Sequence, residues 1–362
     1  MNRKTAGTPR VSVIIPMYNA ASTIARTLRS AQAQTERDIE IVVVDDGSVD
    51  DGPRIVRAAM AGDPRIHLHT QANAGVAAAR NLAINHARGT YIAPLDADDL
   101  WMPRKIALQL EALARAGEAT AFAYCYFDEI DARDQSLWQG PRKRIDGPAL
   151  EELLAQDVVG NGSNALMRAD FVRQVGGYDP LLRQAGGQGA EDWQVALRLA
   201  ELGPIVCVPE VMVGYRRTRG NMSGDSLQML RSARLVAEPF RQRYPDLAPM
   251  IDVHIEHRRR WLLARALSEG NLAGIIAMSR DIGQPYDLAR QLRWIARPVV
   301  RHLASSVLYG IKLRRRRRFG TGSAEGLVGE QFADAAPAGG RRVAEPIPEN
   351  TPGNPAETQR RQ

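Results

Sequence analysis

The sequence predicts an α/β protein built on a mostly parallel sheet flanked by helices. Three observations carry that prediction. Strand-like and helix-like segments alternate through the first hundred residues. The strand segments are near-continuous apolar runs rather than alternating ones, as expected of strands covered on both faces. Polar residues also gather where those runs end, which is where open sheets of this kind bind ligands.

Taken in order, Val11–Met17 reads as a strand and residues 21–33 as an amphipathic helix. A strand at 39–44, a helix at 53–61 and a short strand at 66–70 follow. Residues 74–87 form a helix, and 91–95 form the strand that ends in Asp96-Ala97-Asp98-Asp99. A helix is expected at 103–116 and a strand at 119–130, centred on Phe122-Ala123-Tyr124-Cys125-Tyr126-Phe127. Residues 131–148 are polar and read as a mobile loop. Gly160-Asn161-Gly162-Ser163-Asn164 leads into a short strand at 165–167 and a helix through Val175. A turn at 176–180 and a flexible glycine-rich stretch at 183–189 precede the helix opened by Glu191-Asp192-Trp193. Residues 205–213 return as a strand. Beyond Gly220 the strand signal is lost: 226–282 is mostly helical, and 288–318 is helix-like with a basic face. From Phe319 onward Gly, Ala, Pro and Glu dominate, and disorder is expected. The organisation read from this pattern is a ligand-binding α/β domain at 1–223, a helical extension at 224–318 and a tail at 319–362.

The totals exclude several classes. With 362 residues there is chain for about two domains. Hydrophobic residues at 44% and charged residues at 25% describe an ordinary globular composition. Two cysteines, Cys125 and Cys207, stand far apart in apolar runs, which excludes a disulfide scaffold and fits a reducing compartment. The apolar run after Arg10 is too short for a signal-peptide core. The best candidate for a membrane span, 295–311, carries Arg297, Arg301 and His302 and is interrupted by Pro298, so it is rejected. A cytoplasmic protein is expected. No GxxxxGK[ST] loop occurs, which disfavours a P-loop nucleotide hydrolase.

The central stretch is Leu95-Asp96-Ala97-Asp98-Asp99, three carboxylates within four residues. Alternation at a strand end sends Asp96 and Asp98 to one face, with Asp99 at the turn. Their mutual repulsion would be relieved by a hard cation such as Mg²⁺ or Mn²⁺ sharing its shell with substrate phosphates. The same residues also suit a solvated acidic turn capping the next helix. Asp45-Asp46-Gly47-Ser48 can accept hydrogen bonds from an imide N–H or ribose hydroxyls, or simply close an Asx turn. In Asn73-Ala74-Gly75 and Ala77-Ala78-Ala79-Arg80-Asn81, small residues permit close backbone approach, and Arg80 offers a fixed cation. Asp192 stands at a helix N-terminus, where the macrodipole should keep its pKa low and its carboxylate ready to accept a proton. The competing reading is a capping pair with Trp193 in the core. Tyr215-Arg216-Arg217 offers cations for a leaving pyrophosphate, or a solvated charge run.

Together these residues resemble the inverting family 2 glycosyltransferases of the nucleotide-sugar-dependent GT-A fold. The resemblance runs from Val11 to about Ser223. It rests on Val11-Ser12-Val13-Ile14-Ile15-Pro16-Met17-Tyr18-Asn19, Val44-Asp45-Asp46-Gly47-Ser48, Asn73-Ala74-Gly75 with Ala79-Arg80-Asn81, Leu95-Asp96-Ala97-Asp98-Asp99, Gly176-Gly177-Tyr178-Asp179 and Glu191-Asp192-Trp193. It implies nucleotide-sugar contacts from Pro16, Tyr18, Asn19, Asp45, Asp46, Arg80, Asp96, Ala97, Asp98, Glu191 and Trp193. It implies a divalent metal, Mg or Mn, near Asp98 and Asp99, and makes Asp192 the general base. The implied reaction moves one sugar from a nucleoside-diphosphate sugar, UDP-linked, to a hydroxyl of a glycan or lipid-linked acceptor in cell-surface polysaccharide synthesis. The alternative is a non-catalytic nucleotide-sugar-binding or adaptor protein on the same fold. Processive relatives carry a QxxRW motif with membrane spans. Here Gln291-Leu292-Arg293-Trp294 is one residue short and lies far downstream.

Net charge is +7, and Arg314 through Arg318 are five consecutive arginines. With the apolar residues recurring between Ile295 and Ile311, they read as an interfacial helix for an anionic membrane surface, which would make the protein peripheral on the inner face of the cell membrane. Nothing nearby resembles a nucleic-acid reader. His254 and His257 are expected at the surface, without a metal.

Overall fold

The computed structural model describes residues 7–217, 224–268, 270–271, 274–276 and 278. The sheet begins with four parallel strands in the order β3 (Ile66–Thr70), β2 (Ile39–Asp45), β1 (Val11–Met17), β4 (Tyr91–Pro94). It continues through β8 (Leu166–Arg168), antiparallel to both neighbours, to β6 (Phe122–Ile130). Strand β9 (Ile205–Arg216) lies parallel to β6, and β5 (Leu100–Trp101) closes that end antiparallel to β9.

The apolar runs explain this arrangement. Every residue of β1 and β2 is buried. Alternate side chains feed two separate cores: Ile14, Val42 and Val44 lie on one face and Val13, Ile15, Ile41 and Val43 on the other. Helices cover both. Helix α1 (Ile24–Gln32) buries Ile24, Thr27, Leu28 and Ala31 at helical spacing. Helix α3 (Val76–His86) buries Ala77, Ala79 and Ala83, whose small side chains let it sit close to β1 and β2. Helices α2 (Gly52–Gly62) and α4 (Lys105–Ala116) complete the expected alternation.

The strand ends meet because of register. Met17 stands opposite Asp45, and Asp46 N–H donates to the Met17 carbonyl at 2.8 Å. Pro94 stands opposite Ile14, so the acidic turn after β4 emerges beside the end of β1.

Residues 131–148, expected as a mobile loop, instead contain β7 (Ser136–Gln139), which pairs with β6. All four β7 residues are exposed, so the strand leaves no burial pattern to read. Asp134 anchors the hairpin through ion pairs with Arg26 and Arg216. Short helices α5 (Leu150–Ala155), α6 (Ala169–Gln174) and α7 (Leu181–Gln184) lead to α8 (Glu191–Leu202). The downstream helices α9 (Ser226–Arg243) and α10 (Ala248–Ser268) pack into the same core as α8. Ala233, Val236, Phe240 and Ile251 share a cluster with Trp193 and Leu197. Among the described residues, no helix is long and apolar enough to cross a membrane. The basic segment at 288–318 and the tail lie outside the described residues.

Candidate active site

The ends of β1 and β2 form one wall. Asn19 adopts a left-handed conformation, with φ of 49°. Its N–H donates to Ser48 Oγ, and its side-chain oxygen accepts from Val49 N–H, both at 2.9 Å. Asp46 is buried, and its carboxylate ties this wall to the start of α3. Oδ1 accepts from Gln71 Nε2 at 2.7 Å and Ala74 N–H at 2.8 Å, while Oδ2 accepts from Gly75 N–H at 2.8 Å. A carboxylate can accept about four hydrogen bonds, so Asp46 keeps capacity for a ligand N–H while holding the loop in place. Gly75 has a φ of +94°, and a side chain there would meet Arg183 at 2.9 Å.

The acidic turn forms the floor. Arg80 is 4% exposed, and its guanidinium meets Asp96 Oδ1 at 2.5 Å. The surrounding carboxylates hold Arg80 firmly protonated, and it also faces the Tyr178 ring at 4.9 Å. Gly162 passes so close that an added Cβ would collide with the guanidinium and stand 2.8 Å from Asp96 Oδ2. Two buried donors on this floor, Arg80 Nε and Asn161 Nδ2, have no hydrogen-bond partner. Buried donors of this kind call for an acceptor from a ligand or water.

Opposite stands the N-terminus of α8. Glu191 accepts from Gly189 N–H at 2.9 Å, and Asp192 Oδ1 accepts from Trp193 N–H at 2.8 Å. The expectation that the helix dipole keeps the Asp192 pKa low is corrected by its surroundings. Burial first, and then the nearby charge of Asp157, push it up to about 7, against the opposing pull of Arg80. A terminal dipole amounts to about half a charge, less than those effects combined.

These walls enclose one cavity of about 870 Å³. It brings together Pro16, Tyr18, Asn19, Asp46, Arg80, Asp96, Ala97, Asp98, Glu191 and Asp192. Among the described residues, no group of three or more His, Cys, Asp or Glu forms a ready-made metal cage.

Three expected site residues stand behind the wall. Asp45 spends an oxygen on Ser48 N–H at 3.0 Å and closes the turn. Asp99 is fully buried, accepting from Ser163 Oγ at 2.5 Å and from Arg216 N–H at 2.7 Å, so its carboxyl serves the fold instead of facing the cleft as a metal ligand. Trp193 is fully buried and donates to the Leu153 carbonyl at 2.9 Å, supporting the helix from the core. The Arg216 and Arg217 side chains are likewise engaged elsewhere. Arg216 binds the Asp98 and Asp131 carbonyls and Asp134, and Arg217 binds Glu129 at 2.8 Å. His254, expected at the surface, is buried against Trp193 with ring centroids 5.0 Å apart.

The cleft also includes residues that sequence reasoning did not single out: Asp157, Arg183, Gln188, Asp225, Gln228 and Arg258. Asp225 caps α9 by accepting from Gln228 N–H at 3.0 Å, an Asp-x-x-Gln signal visible in the sequence. Nothing local marks Arg258, which reaches the cleft only because α10 folds back.

Residues 12–176 match the family described as Glycosyl transferase family 2. The chain carries a family 2 glycosyltransferase domain. An uncharacterized glycosyltransferase of Rickettsia prowazekii is 28% identical over 231 residues, covering 61% of this chain and 68% of that protein. The chondroitin synthase of Escherichia coli is 42% identical over 211 residues, covering 57% of this chain; the chain spans 29% of that synthase's length. An uncharacterized glycosyltransferase of Nostoc sp. is 32% identical across 57% of this chain and 64% of its own length. Among solved structures, Staphylococcus aureus TarS 1–349 superposes with a TM-score of 0.52 at 19% identity, over 79% of this chain and 78% of that one. A mannosyltransferase of Pyrobaculum calidifontis superposes with a TM-score of 0.50 at 20% identity, over 91% and 86%. The glycosyltransferase domain therefore has the expected GT-A-type architecture, and its cleft opens at the carboxyl ends of the parallel strands.

Proposed function

We propose that this glycosyltransferase moves a single sugar, with inversion at the anomeric carbon, from a nucleoside-diphosphate sugar to a hydroxyl of a glycan or lipid-linked acceptor. The observation that carries the reading is the shared cavity: Asp98 and Asp192, ninety-four positions apart in sequence, line the same cleft. In this reading Asp46 and Asn19 receive the nucleoside and Arg80 fixes Asp96 beneath the diphosphate. Asp192 takes the proton of the attacking hydroxyl, its raised pKa matching a base that works near neutral pH. The TarS complex contains UDP-GlcNAc and the mannosyltransferase complex GDP-Man with Mn²⁺, which supports a nucleotide-sugar donor. A UDP-linked donor and a role in cell-surface polysaccharide assembly complete the proposal.

The cleft fits a hard divalent cation through Asp98, because Mg²⁺ and Mn²⁺ are commonly held by one or two carboxylates, with substrate phosphates and water completing the shell. Asp98 lines the cavity and is the carboxylate of the acidic turn that would hold the ion. A bound cation would stabilise the negative charge that builds on the leaving diphosphate. Thermal-shift screening of UDP-, GDP- and TDP-linked sugars, each with and without Mn²⁺, tests the donor. Metal-dependent stabilisation by one nucleotide class is expected, and indifference to all of them would refute the reading. Peripheral docking to an anionic membrane through Arg314–Arg318 belongs to the same proposal, and flotation of the full chain with anionic vesicles tests it.

A further inference from the structure

Helix α10 lies outside the matched stretch of the family, yet one of its residues enters the cleft. Arg258 and Asp157 both line the cavity that holds Asp192, and they form an ion pair at 3.4 Å. Both are well buried, with side chains 14% and 12% exposed. The guanidinium of Arg258 also lies over the Trp193 ring at 5.7 Å, and Trp193 is the residue whose N–H donates to Asp192 Oδ1. From the same helix His254 Nδ1 donates to the Leu154 carbonyl, 2.7 Å away, and the ring packs edge-on against Trp193. Arg258 therefore touches both the loop that carries Asp157 and the residue after Asp192.

We propose that Arg258 is a positioning residue for the transfer reaction: by pairing with Asp157 it fixes that carboxylate in the cleft and offsets its charge, and so sets the electrostatic environment of the Asp192 carboxylate. The inference rests on Asp192 acting as the general base. The charged and titratable groups that act on Asp192 or line its cleft come from several elements: Arg80 on α3, Tyr178 in the turn before α7, Glu191 on α8, Asp157 after α5 and Arg258 on α10, while His254 on α10 packs against Trp193. Of these, Asp157 is the nearby carboxylate that most disfavours ionisation of Asp192, and Arg258 is its ion-pair partner. Removing the cation while leaving Asp157 exposes Asp192 to an uncompensated negative charge. A change of charge on a neighbouring group moves a carboxylate titration by about one pH unit.

The test follows the Asp192 carboxyl carbon by NMR in the full-length protein labelled at aspartate Cγ, the resonance being assigned by its loss in Asp192→Asn. Arg258→Gln should move the titration up by about one pH unit and Asp157→Asn should move it down. Arg258→Gln added to Asp157→Asn should produce almost no further change. Arg258→Lys should restore most of the wild-type value. Melting temperatures are measured alongside, and should Arg258→Gln fail to fold, Asp157→Asn and Arg258→Lys still report. An Asp192 titration unmoved by Arg258→Gln, or moved equally whether or not Asp157 is present, overturns the inference. Turnover retained by Asp192→Asn would overturn the base assignment instead, a separate result.

Discussion

Asp99 offers the sharpest separation between a residue that serves the ligand and one that serves the fold. Its carboxyl is fully buried, with one oxygen accepting from Ser163 Oγ and the other from Arg216 N–H. Burial, reinforced by the charges of Asp98 and Asp96, raises its pKa well above that of an ordinary aspartate. In Asp99→Ala two buried donors lose their acceptor. At about 1–3 kcal/mol for each orphaned group, the expected loss is about 2–6 kcal/mol. The amide introduced by Asp99→Asn would resemble the protonated acid in shape: its oxygen can accept from Arg216 N–H and its nitrogen can donate to Ser163 Oγ, so the cost should stay below about 1 kcal/mol. The pH dependence has a definite sign. The folded state holds the Asp99 proton more tightly than the unfolded chain, whose carboxyl titrates near 4, so this group's contribution falls as pH rises from about 4 through the folded pKa. Asp99→Asn should lack that loss and gain relative to wild type at alkaline pH. Urea unfolding of the three proteins at pH 5 and pH 8 measures all of this. A large loss in Asp99→Asn, or wild-type stability in Asp99→Ala, refutes the reasoning.

Gly162→Ala should drive a methyl group into the Arg80–Asp96 pair and weaken UDP binding at least about tenfold, about 1.4 kcal/mol, by calorimetric titration with Mn²⁺. Trp193→Ala should cost about 3–5 kcal/mol of stability, because the ring is fully buried core, and circular dichroism melting checks it. Activity should climb with pH through about 7 as Asp192 ionises, and a pH–rate profile lacking that rise would separate Asp192 from the proton transfer.

Much of the fold was legible because burial writes itself into the sequence. Strand β1 runs over the residues read for it, as does β3, and α8 opens at Glu191 as read, since an apolar strand run and an acidic helix start leave strong signals. Strand β7 was not legible: Leu137 and Trp138 are exposed, so no buried face imposes a pattern. In the site, the order of the motifs identified which strand ends converge, and Asp46, Arg80, Asp98 and Asp192 do line one cleft. What the motifs could not reveal is which carboxyl in a cluster faces the cavity. Asp98 and Asp99 are neighbours, yet the Ser163 hydroxyl, sixty-four positions from Asp99, draws it into the interior. Arg216 reads as a cation for the diphosphate in sequence, but its side chain is consumed by the carbonyls of Asp98 and Asp131 and the carboxylate of Asp134. The raised pKa of Asp192 comes first from burial and then from the charge of Asp157, which lies on a distant segment that no local rule brings near.

The central claim is that one cavity joins a donor-binding acidic turn to a proton acceptor on α8. Turnover and UDP affinity of Asp192→Asn, measured together with Mn²⁺, test it most directly. The account predicts turnover reduced by roughly 10²–10⁴-fold with UDP affinity within about twofold of wild type. Turnover near the wild-type rate, or UDP binding lost together with turnover, would contradict it.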